Sequence, residues 1–313
     1  MYEKLVQFIN QFLNSLTVKQ YSASSIESYT LTLNRFKKYC EINKISAEKL
    51  FALQTMVDFI SQLNSNEILN CPLSEASKIN YISKLRMFYK YLSDNNIILL
   101  NPFDSLDKMR RPKHLPKYIP DESEINKILA QIKLNNHFGY RDRAMIELFY
   151  STGIRRKELV NLSIYDIDLI NGFIRVIKGK GGKDRIIPVG KIACKHLANY
   201  INTARPWLLK NKSINEKTLF LTQYGKKFSP EWVNIRLRQY LEKAGLNKKK
   251  ISCHSFRHSC ATEMLKGKAT IRHVQQMLGH KYLSSTQVYT QVLPLDLLDV
   301  HKRCHPSWTL FEK

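Results

Sequence analysis

The chain has 313 residues, 43% of them hydrophobic, which is enough to bury substantial cores and long enough for two domains rather than one. Fifty Lys and Arg against 26 Asp and Glu leave a formal charge of +24, which excludes an acidic disordered tail and favours a polyanionic partner, nucleic acid ahead of an acidic membrane surface. No apolar run approaches a membrane span and Met1 to Phe12 lacks a signal-peptide cleavage pattern, so the expected protein touches no membrane and works in the cytoplasm.

The first hundred residues read as helical. Leu5, Phe8, Ile9 and Phe12 place apolar side chains on one helix face. Ser24 with Glu27 has the spacing of a capping box, ahead of a stripe at Ile26, Tyr29, Leu33 and Phe36. Met56, Phe59, Ile60 and Leu63 mark a third helix, and Ile79, Ile82, Leu85, Phe88 and Leu92 a fourth. The expectation is a four- or five-helix module over residues 1–107, with Lys37, Lys38, Lys78, Lys84, Arg86 and Lys90 facing outward as a solvated face or a footprint for nucleic acid.

From Asn101 to Pro120 four prolines oppose regular structure while Lys108, Arg110, Arg111, Lys113 and Lys117 concentrate charge. Residues 108–120 therefore read as a basic linker able to follow a phosphate backbone. A second domain, residues 121–313, opens with a capping box at Asp121 and Glu124 and a helix through Ile125, Ile128, Leu129 and Ile132. Residues 173–177 and 185–189 are β-branched runs joined by a Gly-rich tip, which predicts a hairpin. That tip lacks the order of a P-loop and leads into a strand, which argues against an ATP site. Helical periodicity returns from Glu231. The expected fold class is mainly α with a small β-sheet.

Six polar residues of the second domain carry the chemistry: Arg155, Lys180, His254, Arg257, His280 and Tyr289. Two guanidiniums can neutralise the negative charge that develops on a phosphoryl group under in-line attack, each with a planar two-donor fork and a charge that does not titrate away. A lysine and two histidines can move protons, and a phenol can attack phosphorus and store the bond energy as an ester. His254 and Arg257, at i and i+3, share a helix face. Arg155 equally fits a local ion pair with Glu158, and His258 a structural hydrogen bond. Cys253, His254, His258 and Cys260 crowd together, but without zinc-ligand spacing, and the six cysteines form no C-x-x-C pair, so they read as reduced thiols. No run of Asp and Glu suggests paired magnesium ions. Neither metal nor cofactor is expected.

The segments Ser151-Thr152-Gly153-Ile154-Arg155, Gly179-Lys180-Gly181-Gly182-Lys183-Asp184-Arg185, His254-Ser255-Phe256-Arg257-His258, Leu278-Gly279-His280 and Thr286-Gln287-Val288-Tyr289 occur in this order. Together they resemble the tyrosine recombinase (phage integrase) family, most closely its Xer-type members, over nearly the whole chain. Arg156-Lys157 departs from the smaller or apolar residues usual in Xer proteins after the first arginine.

The resemblance implies a SAM-like helical core-binding domain and a mixed α/β catalytic domain closing as a C-shaped clamp around DNA. It implies double-stranded DNA with specific recombination sites as substrate, cut through a 3′-phosphotyrosyl link on Tyr289 that leaves a free 5′-hydroxyl. In that scheme Lys180, ahead of Lys183, protonates the leaving oxygen, His254 handles the phenol's proton and His280 bonds the phosphate. Tyr282 is the nearby decoy. The apolar tail Leu293 to Val300 would dock on a neighbouring protomer in a homotetramer, or in a heterotetramer with a second recombinase, with an activating protein as a further possible partner. The biological task would be chromosome or plasmid dimer resolution, or mobile-element integration and excision. The competing expectations are an inactive integrase-like DNA-binding regulator and a type IB topoisomerase-like activity.

Overall fold

The computed structural model describes residues 2–46, 49–63, 73–105, 118–177, 184–209 and 216–279. The chain divides into two compact units, residues 1–114 and 115–313.

In the first unit four helices are described: α1 (Tyr2–Val18), α2 (Ala23–Ile42), α3 (Leu53–Gln62) and α4 (Glu75–Asp94). Their predicted stripes form one core in which Leu5, Ile9, Phe12, Leu33, Phe36, Phe59, Leu85 and Phe88 are all buried. Aromatic rings meet there edge to face, Phe12 with Phe88 at 5.4 Å and Phe36 with Phe59 at 5.2 Å between centroids, the arrangement the ring quadrupole favours. The start of α2 differs from the sequence expectation. Ser22, not Ser24, caps the helix, its hydroxyl accepting from the Ser25 N–H at 3.2 Å, so Ser24 lies inside the first turn.

The outward lysines are also less uniform than expected. Lys37, Lys78 and Lys90 pair with Glu41, Glu75 and Asp94 on their own helices. Lys84 is half-buried instead: its Nζ donates to Ser28 Oγ at 2.6 Å and lies 5.6 Å from the Tyr81 ring centroid. Burial and the nearby Arg35 charge lower its pKa.

The second unit contains α5 (Glu122–Ala130), α6 (His137–Thr152), α7 (Arg156–Asn161), strands β1 (Ile167–Asp168), β2 (Phe173–Val176) and β3 (Arg185–Pro188), then α8 (Lys191–Asn199), α9 (Arg205–Leu209), α10 (Pro230–Lys243), α11 (Cys253–Lys266) and α12 (Ile271–Leu278). The predicted capping box at Asp121 and Glu124 is present. The strands form an antiparallel sheet in the order β1-β2-β3, with Phe173 opposite Pro188 and Val176 opposite Arg185. A π-helical turn, Tyr200–Ala204, joins α8 to α9. Pro206 explains it, because a proline cannot donate to the preceding turn and its ring crowds the carbonyl four residues back.

Helix α6 packs against α8 and α11. It is joined to α10 by the buried Asp142 carboxylate, which accepts from Arg141, Arg236 and the Tyr240 hydroxyl. Of the predicted linker, residues 108–117 lie outside the described residues. Tyr118 and Pro120 belong to the second unit and are bonded within it: Tyr118 OH donates to Glu124 at 2.6 Å, Lys249 donates to both Tyr118 and Glu124, and Ser259 on α11 donates to the Pro120 carbonyl at 2.8 Å. No helix among the described residues is long and apolar enough to cross a membrane.

Candidate active site

Helix α6 ends at Gly153, whose left-handed backbone (φ +57°) turns the chain and sets Arg155 at the entrance of α7. The left-handed backbone favours glycine here, and a Cβ at Gly153 would also stand 2.7 Å from Leu278 Cδ2, so that side chain would have to shift. Helix α11 presents the second arginine. Its side chain, 1% exposed, bridges two elements: Arg257 Nη1 donates to the Gly153 carbonyl at 2.7 Å and Nη2 to the Leu278 carbonyl at 2.5 Å.

Arg155 reaches the next carbonyl along. Its Nη2 donates to Gly279 O at 2.9 Å while Nη1 donates to Glu158 Oε1 at 2.8 Å. A third guanidinium occupies the preceding carbonyl, Arg185 Nε donating to Met277 O at 3.0 Å. The last carbonyls of α12, those of Met277, Leu278 and Gly279, thus each receive an arginine. Helix C-termini leave such carbonyls without intrahelical partners and carry partial negative charge, so cations are stabilising there. The residue immediately after this turn is His280.

Glu158 is the anion within the cluster. Its carboxylate accepts from Arg155 Nη1 and the Arg155 backbone N–H, and bidentately from Arg185 Nη1 and Nη2 at 3.0 and 2.7 Å. Burial alone would raise this carboxyl. The bonds and charges of Arg185 and Arg155 outweigh it and hold the pKa at about 2. Three arginines and one carboxylate leave the cluster with a net charge of +2, counting the groups named here.

His254 lies in the first turn of α11 and is exposed, unlike the buried Arg257. The His258 ring packs edge-on to it with centroids 4.7 Å apart. Cys253 and Cys260 on the same helix are buried, and burial pushes both thiols up to about 12. Among the described residues no three His, Cys, Asp or Glu side chains form a group able to hold a metal.

Of the six sequence-predicted residues, the structure places Arg155 and Arg257 on adjacent carbonyls and His254 on the helix that carries Arg257. Lys180, with Lys183 beside it, His280 and Tyr289 lie outside the described residues, as does the tail from Leu293 to Val300. Sequence reasoning passed over Arg185 and read Glu158 only as a local partner for Arg155. A signal was present for Arg185: it shares strand parity with the fully buried Ile187, which puts an arginine on the core-facing side of β3.

The sequence profile of the phage integrase family matches residues 120–295, and that of the phage integrase N-terminal SAM-like domain matches residues 9–96. Tyrosine recombinase XerC 2 of Ralstonia nicotianae is 36% identical over 304 residues, covering 97% of this chain and 86% of that protein. Tyrosine recombinase XerD of Staphylococcus epidermidis is 35% identical over 302 residues, covering 95% and 98%. Among solved structures, XerH bound to a palindromic difH substrate in a post-cleavage complex matches with a TM-score of 0.71 at 22% identity, over 91% of this chain and 81% of that one. A lambda integrase dimer bound to a COC′ core site matches at 0.69 and 15% identity, over 90% and 94%. The two structural likenesses speak for the fold; the sequence relationships, spanning almost the whole chain, carry the classification. The chain belongs to the phage integrase family and is a site-specific tyrosine recombinase, an enzyme that cleaves and rejoins DNA.

Proposed function

We propose that the chain acts on double-stranded DNA at specific recombination sites, with Arg155, Lys180, His254, Arg257, His280 and Tyr289 as its catalytic residues and with neither metal nor nucleotide cofactor. The observation that carries this reading is the convergence of Arg155 and Arg257, 102 residues apart in sequence, on the carbonyls of the adjacent residues Gly279 and Leu278. The bonds described engage two of the five N–H donors of Arg155, and its side chain is 23% exposed, so donors remain for a phosphate oxygen.

Attack by the Tyr289 phenolic oxygen forms a bond to phosphorus and breaks the bond to the 5′ oxygen. The phenol's proton passes to His254, and the departing oxygen takes a proton from Lys180. The DNA is left on the protein as a 3′-phosphotyrosyl ester beside a free 5′-hydroxyl, and the reverse attack rejoins it without ATP. Arg155 and Arg257 stabilise the charge on the non-bridging oxygens throughout, with His280 as a further donor. The tail beyond Pro294 assembles protomers head to tail into a tetramer on DNA.

A duplex nicked so that the cleaved end diffuses away provides the test. The wild-type chain should accumulate a covalent protein-DNA adduct in EDTA, and Tyr289→Phe should form none. An adduct that persists in Tyr289→Phe, or cleavage that requires added magnesium, overturns the assignment; no adduct at all favours a DNA-binding regulator. Deletion after Pro294 should spare DNA binding and abolish complete synaptic complexes, as read by native gel shift.

A further inference from the structure

Arg185 has no part in the reaction as just described, yet it touches two elements that hold the phosphate-facing arginines. We infer that Arg185 is a positioning residue for strand cleavage: through Glu158 it fixes Arg155, and through the Met277 carbonyl it fixes the end of α12, so that both sides of the phosphate clamp keep one spacing. The inference rests on the reading that Arg155 engages the scissile phosphate.

Two features separate positioning from direct contact. All three nitrogens of Arg185 are committed to protein acceptors, Nε to Met277 O and the two Nη to the Glu158 carboxylate. Its stem also forms the seat of the α12 terminus, since a Cβ on Gly279 would stand 3.1 Å from Arg185 Cδ and Nε.

The strand on which this side chain stands is paired and backed by the core. Arg185 opens β3, Val176 of β2 lies opposite it, and Ile187 two residues on is fully buried. A guanidinium matches a carboxylate through two parallel bonds while its Nε still points elsewhere, a geometry that an ammonium cannot copy. Arg155, by contrast, shares Glu158 and commits only its two Nη in the bonds described. Loss of the Arg185 fork would leave Glu158 held by Arg155 alone and free the Met277 carbonyl, so the Arg155 fork could turn away from the phosphate without any group having left it.

Single-turnover adduct formation on the nicked duplex, in parallel with DNA affinity, tests this. Arg185→Lys should bind DNA within about twofold of wild type and form adduct roughly 10- to 100-fold more slowly, the range for a misplaced catalytic group. Glu158→Gln should show the same division between affinity and rate, and it decides the matter if Arg185→Lys does not fold. Combined with Arg155→Lys, Arg185→Lys should add little further loss, because both act on one clamp. The loss should persist on a 5′-bridging phosphorothiolate, whose sulfur leaves without an acid, since Arg185 acts on Arg155 and not on the hairpin lysine. Wild-type rates in the folded variants, losses that multiply in the double variant, loss of affinity alone, or full recovery on the phosphorothiolate would each overturn the inference. If the wild-type chain forms no adduct, it is the proposed function that fails instead.

Discussion

At Glu158 two opposed effects meet, burial that disfavours a carboxylate and four donated hydrogen bonds that favour it, and the bonds win by enough to bring the pKa to about 2. Because the folded value lies below the ordinary 4.5, the group contributes stability in full above that ordinary value and loses it as the pH falls from there towards 2. Glu158→Gln should therefore lower the unfolding free energy at neutral pH by about 2–3 kcal/mol, and the difference from wild type should shrink across that acid window, as followed by urea denaturation at a series of pH values. Half of this arrangement is legible in the sequence, because Arg155 and Glu158 stand three residues apart at a helix start. The other half is not: Arg185 comes from a strand 27 residues further on, and no local pattern says which acid a strand arginine will meet.

At the scale of elements, the helix ends decide where functional groups sit. Gly279 ends α12 in the left-handed conformation, φ +64°, one residue before His280. Gly279→Ala should cost about 1–2 kcal/mol through the strained backbone, with a further loss from the Arg185 stem in its path, and should slow adduct formation along with lowering the thermal midpoint. Apolar periodicity was sufficient to read α1 to α5, α10 and the two hairpin strands, since one-sided burial imposes a period on the sequence, but it gave no reading of α6 to α9 or of β1. It was insufficient at Ser22, where several serines compete to cap α2 and only the backbone geometry selects one. Nor could it read Lys84, whose ammonium lies 5.6 Å from the Tyr81 ring centroid and donates to Ser28 Oγ, because a long cation can reach a polar group on a neighbouring helix from a half-buried position.

For the whole molecule, a charge of +24 on a DNA recombinase means that binding should release condensed counterions. If about six phosphates are neutralised, the logarithm of the DNA association constant should fall with the logarithm of salt concentration at a slope near −5, a loss of about 10³-fold between 50 and 200 mM; titration by fluorescence anisotropy measures it, and a flat response would show that these lysines serve solubility alone. The division into a helical part and a mixed part was legible because the prolines of residues 101–120 interrupt every period. The spatial convergence of the arginines was not, since it depends on the tertiary packing of α6, α11 and α12.

The anchoring of residues 118–120 has a mechanical corollary. The first described residues of the second unit are tied down through Tyr118 to Glu124 and Lys249, and through Pro120 to Ser259, two residues beyond Arg257 on the same helix. Residues 118–120 are thus tied directly to α11. A pull on the backbone at Tyr118 would therefore reach α11, which carries Arg257, through the Ser259 bond.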